Sequence, residues 1–197
     1  MVKEGVNPAL VENAARMAGM PVGPLAVGDE VSIELMYKIQ KSYEQGLGKD
    51  YVPHPADAVA ELFVEKLKRL GRKNGKGFYD YPEDGKKSLW PGLSEHFPRA
   101  KKQPDLKEVQ SRLLYRQVIE AVRCLEEGVL RDVESADVGS IFGWGFAPFS
   151  GGVFSYIDTV GAKAFTTEAE RLAKAYGERF APPKGLKAKA AKGETYY

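Results

Sequence analysis

Apolar residues recur at helical spacing through most of this chain. Asn7-Pro8 reads as an N-cap followed by proline at the first helical position, where its missing N–H costs nothing. Leu10, Ala14, Met17 and Ala18 then share one face, and Gly19 stops the helix. After a turn rich in proline and glycine, Gly19-Met20-Pro21-Val22-Gly23-Pro24, the pattern predicts a second helix over about residues 29–45. Asp29 is expected to be its N-cap, and Val31, Leu35, Met36 and Ile39 share a face of it. A third helix opens at His54-Pro55 and carries Val59, Leu62, Phe63, Leu67 and Leu70 as a stripe that ends at Gly71. His54, flanked by prolines, reads as a helix-start residue and not as a base.

Arg72-Lys73-Asn74-Gly75-Lys76-Gly77-Phe78-Tyr79-Asp80-Tyr81 breaks this pattern. Two glycines within three residues are poor in a helix, so the segment reads as a turn running into a short extended piece. Phe78, Tyr79 and Tyr81 are expected to fasten it to the helices. Residues 82–104 read as a surface linker in which Leu89-Trp90-Pro91-Gly92-Leu93 docks its apolar side chains. The longest helical pattern covers about residues 105–127, with Leu114, Val118, Ala121, Val122 and Leu125 on a core-facing stripe. Cys124 on the same helix reads as a packing residue, since no activating base accompanies it. Shorter segments near 132–142 and 151–160 and a helix over about 163–176 follow. Residues 184–197, with Lys187, Lys189 and Lys192, read as a solvated or frayed basic tail.

The chain also repeats itself. Glu4-Gly5-Val6, a helix, Gly19-Met20-Pro21-Val22-Gly23-Pro24 and Asp29 recur in order as Glu127-Gly128-Val129, a helix, Gly143-Trp144-Gly145-Phe146-Ala147-Pro148 and Asp158. Gly177 to Pro182 is expected to close the second copy where the glycine-rich loop closes the first. A helix of some twenty residues stands ahead of Glu127 and only three residues ahead of Glu4, so the chain reads as a piece of something longer.

Composition narrows the class. Among 197 residues, 29 Lys and Arg against 27 Asp and Glu leave a net charge of +2, which gives no basic footprint for nucleic acid. One cysteine and two histidines make a disulfide framework or a conventional zinc site improbable. No window approaches the roughly eighteen apolar residues of a membrane-spanning helix. The N-terminal residues lack a secretory pattern, and the C-terminal Thr195-Tyr196-Tyr197 is no peroxisomal address.

Gly19-Met20-Pro21-Val22-Gly23-Pro24-Leu25 with Asp29, followed by Gly71-Arg72-Lys73-Asn74-Gly75-Lys76-Gly77-Phe78-Tyr79, resembles the 3-hydroxyacyl-CoA dehydrogenase C-terminal domain. The second copy, with Gly143-Trp144-Gly145-Phe146 and Tyr156-Ile157-Asp158-Thr159, is similar to the multifunctional fatty-acid oxidation enzymes, which carry two such domains. The resemblance implies an all-α fold of two related helical domains, residues 1–81 and 105–183, packed as a pseudo-dimer. Residues 82–104 would link them, 184–197 would be the tail, and residues 71–81 a short extended glycine-rich segment.

The implied activity is oxidation of a 3-hydroxyacyl-CoA with NAD, in a bacterial cytoplasm. The dinucleotide-binding domain and, in some relatives, an enoyl-CoA hydratase domain would be partners. No strand–Gly-x-Gly-x-x-Gly–helix unit occurs here, so neither bound NAD nor activity is expected of this chain alone. Pro21, Gly23, Pro24, Asp29, Arg72, Lys73, Gly75, Gly77 and Phe78 are the residues expected beside the acyl-CoA cleft, with no catalytic, cofactor or metal residue among them. Arg72, Lys73 and Lys76 either attract a CoA phosphate or are solvated surface charges. The chain is expected to form a substrate-side wall and an assembly surface, or else a structural module that touches no ligand. As a molecule it would be a monomer or a weak homodimer.

Overall fold

The computed structural model describes residues 1–197, built from ten α-helices and one two-stranded ribbon. No helix is long and apolar enough to cross a membrane. The chain divides into two compact units: Met1–Ala14 with Val22–Asp105, and Ala15–Pro21 with Leu106–Tyr197.

In the first unit α1 (Pro8–Met17) starts as its sequence predicts, with the Ala9 N–H donating to Asn7 Oδ1 at 3.1 Å. α2 (Pro24–Val31) has Pro24 in its first turn. The single helix expected over residues 29–45 is instead divided: Ser32, at φ +84°, separates α2 from α3 (Ile33–Leu47). Leu70 holds that break, its carbonyl accepting from Ser32 Oγ at 3.1 Å and from the Ile33 N–H at 3.0 Å. α4 (Asp57–Glu61) continues as a π-helical turn over Leu62–Lys66. A ribbon follows, in which β1 (Tyr79–Asp80) pairs antiparallel with β2 (Ser88–Leu89), and then α5 (Leu93–His96).

The core of this unit gathers on Phe63, which is shut off from solvent and lies 4.6 Å from Phe78 and 6.1 Å from Trp90, ring to ring. Leu89, Trp90 and Leu93 pack there, so this part of residues 82–104 is docked as its apolar run predicts. α3 behaves differently. Ile33 is buried, but Leu35, Met36, Ile39, Tyr43 and Leu47 are 37–60% exposed. Periodicity told which residues share a face of this helix; the face looks outward.

The second unit contains α6 (Leu106–Glu126), α7 (Val133–Trp144), α8 (Val153–Val160), α9 (Ala162–Tyr176) and α10 (Lys184–Lys192). Its core is larger and drier. Val118, Ile119, Phe146, Phe154, Phe165, Leu172 and Leu186 have no solvent exposure, and the Tyr115 ring stacks on Phe165 at 4.1 Å. The expectation of a solvated tail over residues 184–197 is corrected here. α10 is amphipathic: Leu186 and Ala190 pack into the core, while Lys187 and Lys192 stay exposed. Beyond α10, Tyr196 packs on Phe154 at 4.8 Å between rings. An alanine-rich stretch is a good helix former, and one leucine is enough to set which side faces inward.

Leu186→Ala should therefore lower stability by about 3 kcal/mol, the cost of emptying a core leucine site. Urea unfolding checks it; an unchanged midpoint would return the segment to solvent.

Candidate functional site

Six of the residues singled out in the sequence gather around two buried acids of the first unit. Glu12, on α1 and 3% exposed, accepts the Leu25 N–H at 2.7 Å through Oε1. This caps the electropositive start of α2, where Pro24 has no N–H to offer. A side chain at Gly23 would overlap the Glu12 carboxylate, so only glycine lets the two approach. The Tyr79 hydroxyl donates to Glu12 Oε2 at 2.6 Å.

Asp29, in the last turn of α2, has no solvent exposure. It caps no helix; Ser32 precedes α3, so the N-cap reading is corrected. Instead Oδ1 accepts the Phe78 N–H at 2.7 Å, and Oδ2 accepts the Tyr79 N–H at 2.9 Å and the Tyr81 hydroxyl at 3.0 Å. Burial pushes its carboxyl above the ordinary value, opposed by those three donors and by the charge of Arg69. A side chain at Gly77 would overlap the same carboxylate. Arg69, itself 6% exposed, completes the enclosure: it donates to the carbonyls of Gly77 at 2.7 Å and Tyr79 at 3.1 Å and lies 4.1 Å from the Trp90 ring centre.

The second unit builds the same clasp. Asp137, on α7, accepts the Phe154 N–H at 2.6 Å, near the start of α8, and the Tyr197 hydroxyl at 3.0 Å. Asp158, on α8, accepts the Tyr196 N–H at 3.0 Å and the Tyr197 N–H at 3.1 Å. Glu12 thus matches Asp137, Asp29 matches Asp158, and Phe78-Tyr79 matches Tyr196-Tyr197. Gly152 stands against Asp137 as Gly23 does against Glu12.

The register between the copies follows. Gly177-Glu178-Arg179-Phe180-Ala181-Pro182 corresponds to Gly48-Lys49-Asp50-Tyr51-Val52-Pro53, each directly after a long helix. The counterpart of the glycine-rich loop is Gly193–Tyr197, which corrects the pairing expected from sequence. Glu12, Asp137 and Tyr197 were missed there. An acid inside an apolar helical stretch was the available signal for the first two.

The remaining expected residues are placed apart from this core. Arg72 Nη1 bonds both carboxylate oxygens of Glu30 at 2.8 Å, and Lys73 pairs with Glu34. Both cations are exposed. Pro21 belongs to the second unit, where its Cγ would lie 2.7 Å from a Cβ at Gly145. Gly75, at φ +72°, makes the turn itself, its N–H bonded to Arg72 O at 3.0 Å. The other loop amides are also used: Lys76 donates to Gly71 O at 3.2 Å, Gly77 to Tyr79 O at 2.8 Å. From Asn74 to Tyr79 each loop amide thus has a protein acceptor, the last two the Asp29 carboxylate. No cluster of three or more His, Cys, Asp or Glu could hold a metal. His54 uses Nδ1 to accept the Ala56 N–H at 3.2 Å, as a helix-start residue would. Cys124 is half-buried on α6.

The first of the two clasps lies within the stretch that a family comparison matches. Residues 1–81 match the 3-hydroxyacyl-CoA dehydrogenase C-terminal domain. This part of the chain is similar to that domain. The whole chain is also 40% identical, over 202 residues, to the fatty acid oxidation complex subunit alpha of Shewanella amazonensis, of which it spans 28%. Two solved structures share the fold of the dehydrogenase C-terminal domain. One is 3-hydroxybutyryl-CoA dehydrogenase from Escherichia coli: TM-score 0.67, 18% identity, covering 97% of this chain and 56% of that one. The other is the dehydrogenase part of multifunctional enzyme 1 from C. elegans: TM-score 0.63, 19% identity, covering 93% and 42%.

Asp29→Ala leaves two amides and a hydroxyl without their acceptor and should cost about 3 kcal/mol or more in a denaturant titration. A change within error would show that the clasp contributes nothing. Alkaline pH tests the second clasp. Burial, and then the bond to Asp137, push the Tyr197 hydroxyl up to about 12. A proton held more tightly in the folded state stabilises fully below the ordinary tyrosine value, and that stabilisation is lost as pH rises through 12. Stability should fall from about pH 10 upward, and less steeply in Tyr197→Phe; identical profiles would refute the bond.

Proposed function

We propose that this chain is the helical C-terminal part of an NAD-dependent 3-hydroxyacyl-CoA dehydrogenase of fatty-acid β-oxidation, working in a bacterial cytoplasm. The observation that supports it most is the use of the family's own turn residues, Gly23, Pro24, Asp29, Gly77 and Phe78, to close a unit that the chain then builds again. In such an enzyme a base takes the proton of the 3-hydroxyl while NAD accepts the hydride. The base must lie within hydrogen-bond reach of that proton, and the dinucleotide-binding domain would supply both base and cofactor site. This chain would supply one wall of the acyl-CoA cleft and the surface on which the other domains assemble.

A shaping role for the clasp residues is supported by their polar atoms being already engaged inside the unit. Arg72 and Lys73 are the cations a CoA phosphate would meet, and they would have to leave Glu30 and Glu34 to do so. That engagement is also what favours a second reading, a structural module without ligand contact.

Calorimetric titration with acetoacetyl-CoA, beside NADH, separates the two. The wall reading expects weak acyl-CoA binding, near millimolar or about −4 kcal/mol, lost in Arg72→Ala with Lys73→Ala, and none of NADH. No binding of either supports the structural module. Turnover of 3-hydroxybutyryl-CoA is expected only when the dinucleotide-binding domain is added; turnover by this chain alone, or none after mixing, would overturn the reading.

A further inference from the structure

The second unit contains a pocket of about 290 Å³ that its clasp does not use. Phe146, without solvent exposure, and the half-buried Leu114 lie at its base, while Met17 and Phe149, 65 and 81% exposed, stand at its mouth. A longer turn in the second copy shapes it. Gly152 follows Asp137 by fifteen residues, where Gly23 follows Glu12 by eleven. The additional length winds into a 3-10 turn, Pro148–Ser150, which lays the Phe149 ring over Gly19. Gly19, at φ +97°, has no room for a side chain beneath that ring.

The face of α6 that lines this pocket is graded in polarity. Lys107, Gln110, Ser111 and Leu114 follow i, i+3, i+4 and i+7, so they share one side of the helix. Lys107 stands in the first turn, at the positive end of the helix dipole, exposed and in no ion pair. One turn on is the Ser111 hydroxyl, and Leu114 follows at the aromatic base. Tyr156 also lines the pocket, its ring meeting Phe146 edge-on at 6.1 Å. Burial, and then the charge of Glu168, push its hydroxyl above the ordinary value, so it remains a proton donor at neutral pH. A lining that is apolar at the base and cationic at the mouth matches a molecule with an apolar tail and one anionic head. The volume is nearly twice the ~150 Å³ that holds a benzene, room for an alkyl chain of about eight carbons.

We propose that this pocket binds a free medium-chain fatty acid, its alkyl chain against Leu114, Phe146 and the Phe149 ring and its carboxylate at Lys107 and Ser111. The carboxylate accepts from the Lys107 ammonium and the Ser111 hydroxyl, a charge-assisted pairing that a neutral head does not make. The chain covers the open sides of Met17 and Phe149, apolar surface that otherwise faces water. A ligand with several negative charges finds only one cation here, Lys107. The first unit's shorter turn has no residues in the place of Phe149 and Ser150, so the site belongs to the second copy alone. Binding of the free acid needs no CoA, no NAD and no other domain.

The test uses the full 197-residue chain. Octanoate, titrated by calorimetry with octanol beside it, should bind saturably and one to one. Lys107→Glu reverses an exposed charge; it should weaken octanoate about tenfold or more and leave octanol unchanged. Phe149→Asp, at a position outside the core, should weaken both. Phe142→Asp, at an 85% exposed position of α7, should weaken neither. All three variants are expected to keep the circular dichroism spectrum of the parent chain. Absence of octanoate binding overturns the proposal, as does binding indifferent to Lys107→Glu and Phe149→Asp. Equal loss of octanoate and octanol in Lys107→Glu overturns it too, since the charge would then not be what the pocket reads. Octanoyl-CoA, whose carbonyl end is uncharged, should displace octanoate no better than octanol does; tighter competition than by octanoate itself would contradict the choice of a free acid. None of these results depends on acetoacetyl-CoA binding at Arg72 and Lys73, so failure here leaves the functional reading standing, and failure there leaves this site standing.

Discussion

A carboxylate closed off from water must be given hydrogen-bond donors, and at Asp29 two of those donors are backbone amides 49 and 50 residues further along the chain. Much of the first unit follows from that requirement. The chain after α4 must turn back on itself, which Gly75 at positive φ allows. It must then pass the carboxylate closely enough that Gly77 has no room for a side chain. The aromatic pair Phe78-Tyr79 is thereby delivered to the core, where Phe78 packs on Phe63 and Tyr79 reaches back to Glu12. Arg69 is drawn in beneath the same loop and holds its carbonyls. Two buried acids, Glu12 and Asp29, thus tie the first helix, the second helix and the closing segment together.

The second unit solves the problem in the same way with different residues. Asp137 replaces Glu12, and two tyrosines at the end of the chain replace Phe78-Tyr79. That is why residues 184–197 are structural: they supply the amide donors of Asp158 and the hydroxyl donor of Asp137. The equivalence also exposes a difference that no single copy could show. α9 is covered by α6, whereas α3 keeps an apolar face in solvent.

How much of this could be read from the residues depends on the kind of physics involved. Helix starts were legible at Asn7-Pro8, since capping is local and acts within three residues. The repeat, the helical class and the docking of Leu89, Trp90 and Leu93 were also legible, because order and apolar content survive without coordinates. Asp29 was marked, but its partner was not, because its donors are main-chain amides that any residue could provide. Glu12 was passed over since an acid in a helix normally faces water. The outward face of α3 was hidden for a simpler reason: periodicity says which side chains travel together and not whether anything stands opposite them. In residues 184–197 the abundance of lysine outweighed Leu186 and the two tyrosines, although those three carry the packing. Ser32 was missed because its left-handed backbone is held by Leu70, which is distant in sequence.

Both copies are closed by the same kind of bonds, a carboxylate holding the amides of the closing segment. Amide hydrogen exchange, read residue by residue in the intact chain, addresses this directly. The amides of Phe78, Tyr79, Tyr196 and Tyr197 should all exchange slowly, each pair at a rate close to that of its own unit's core helices. Fast exchange at Tyr196 and Tyr197, beside slow exchange at Phe78 and Tyr79, would contradict it: the second clasp would not exist, and the repeat would end at α9.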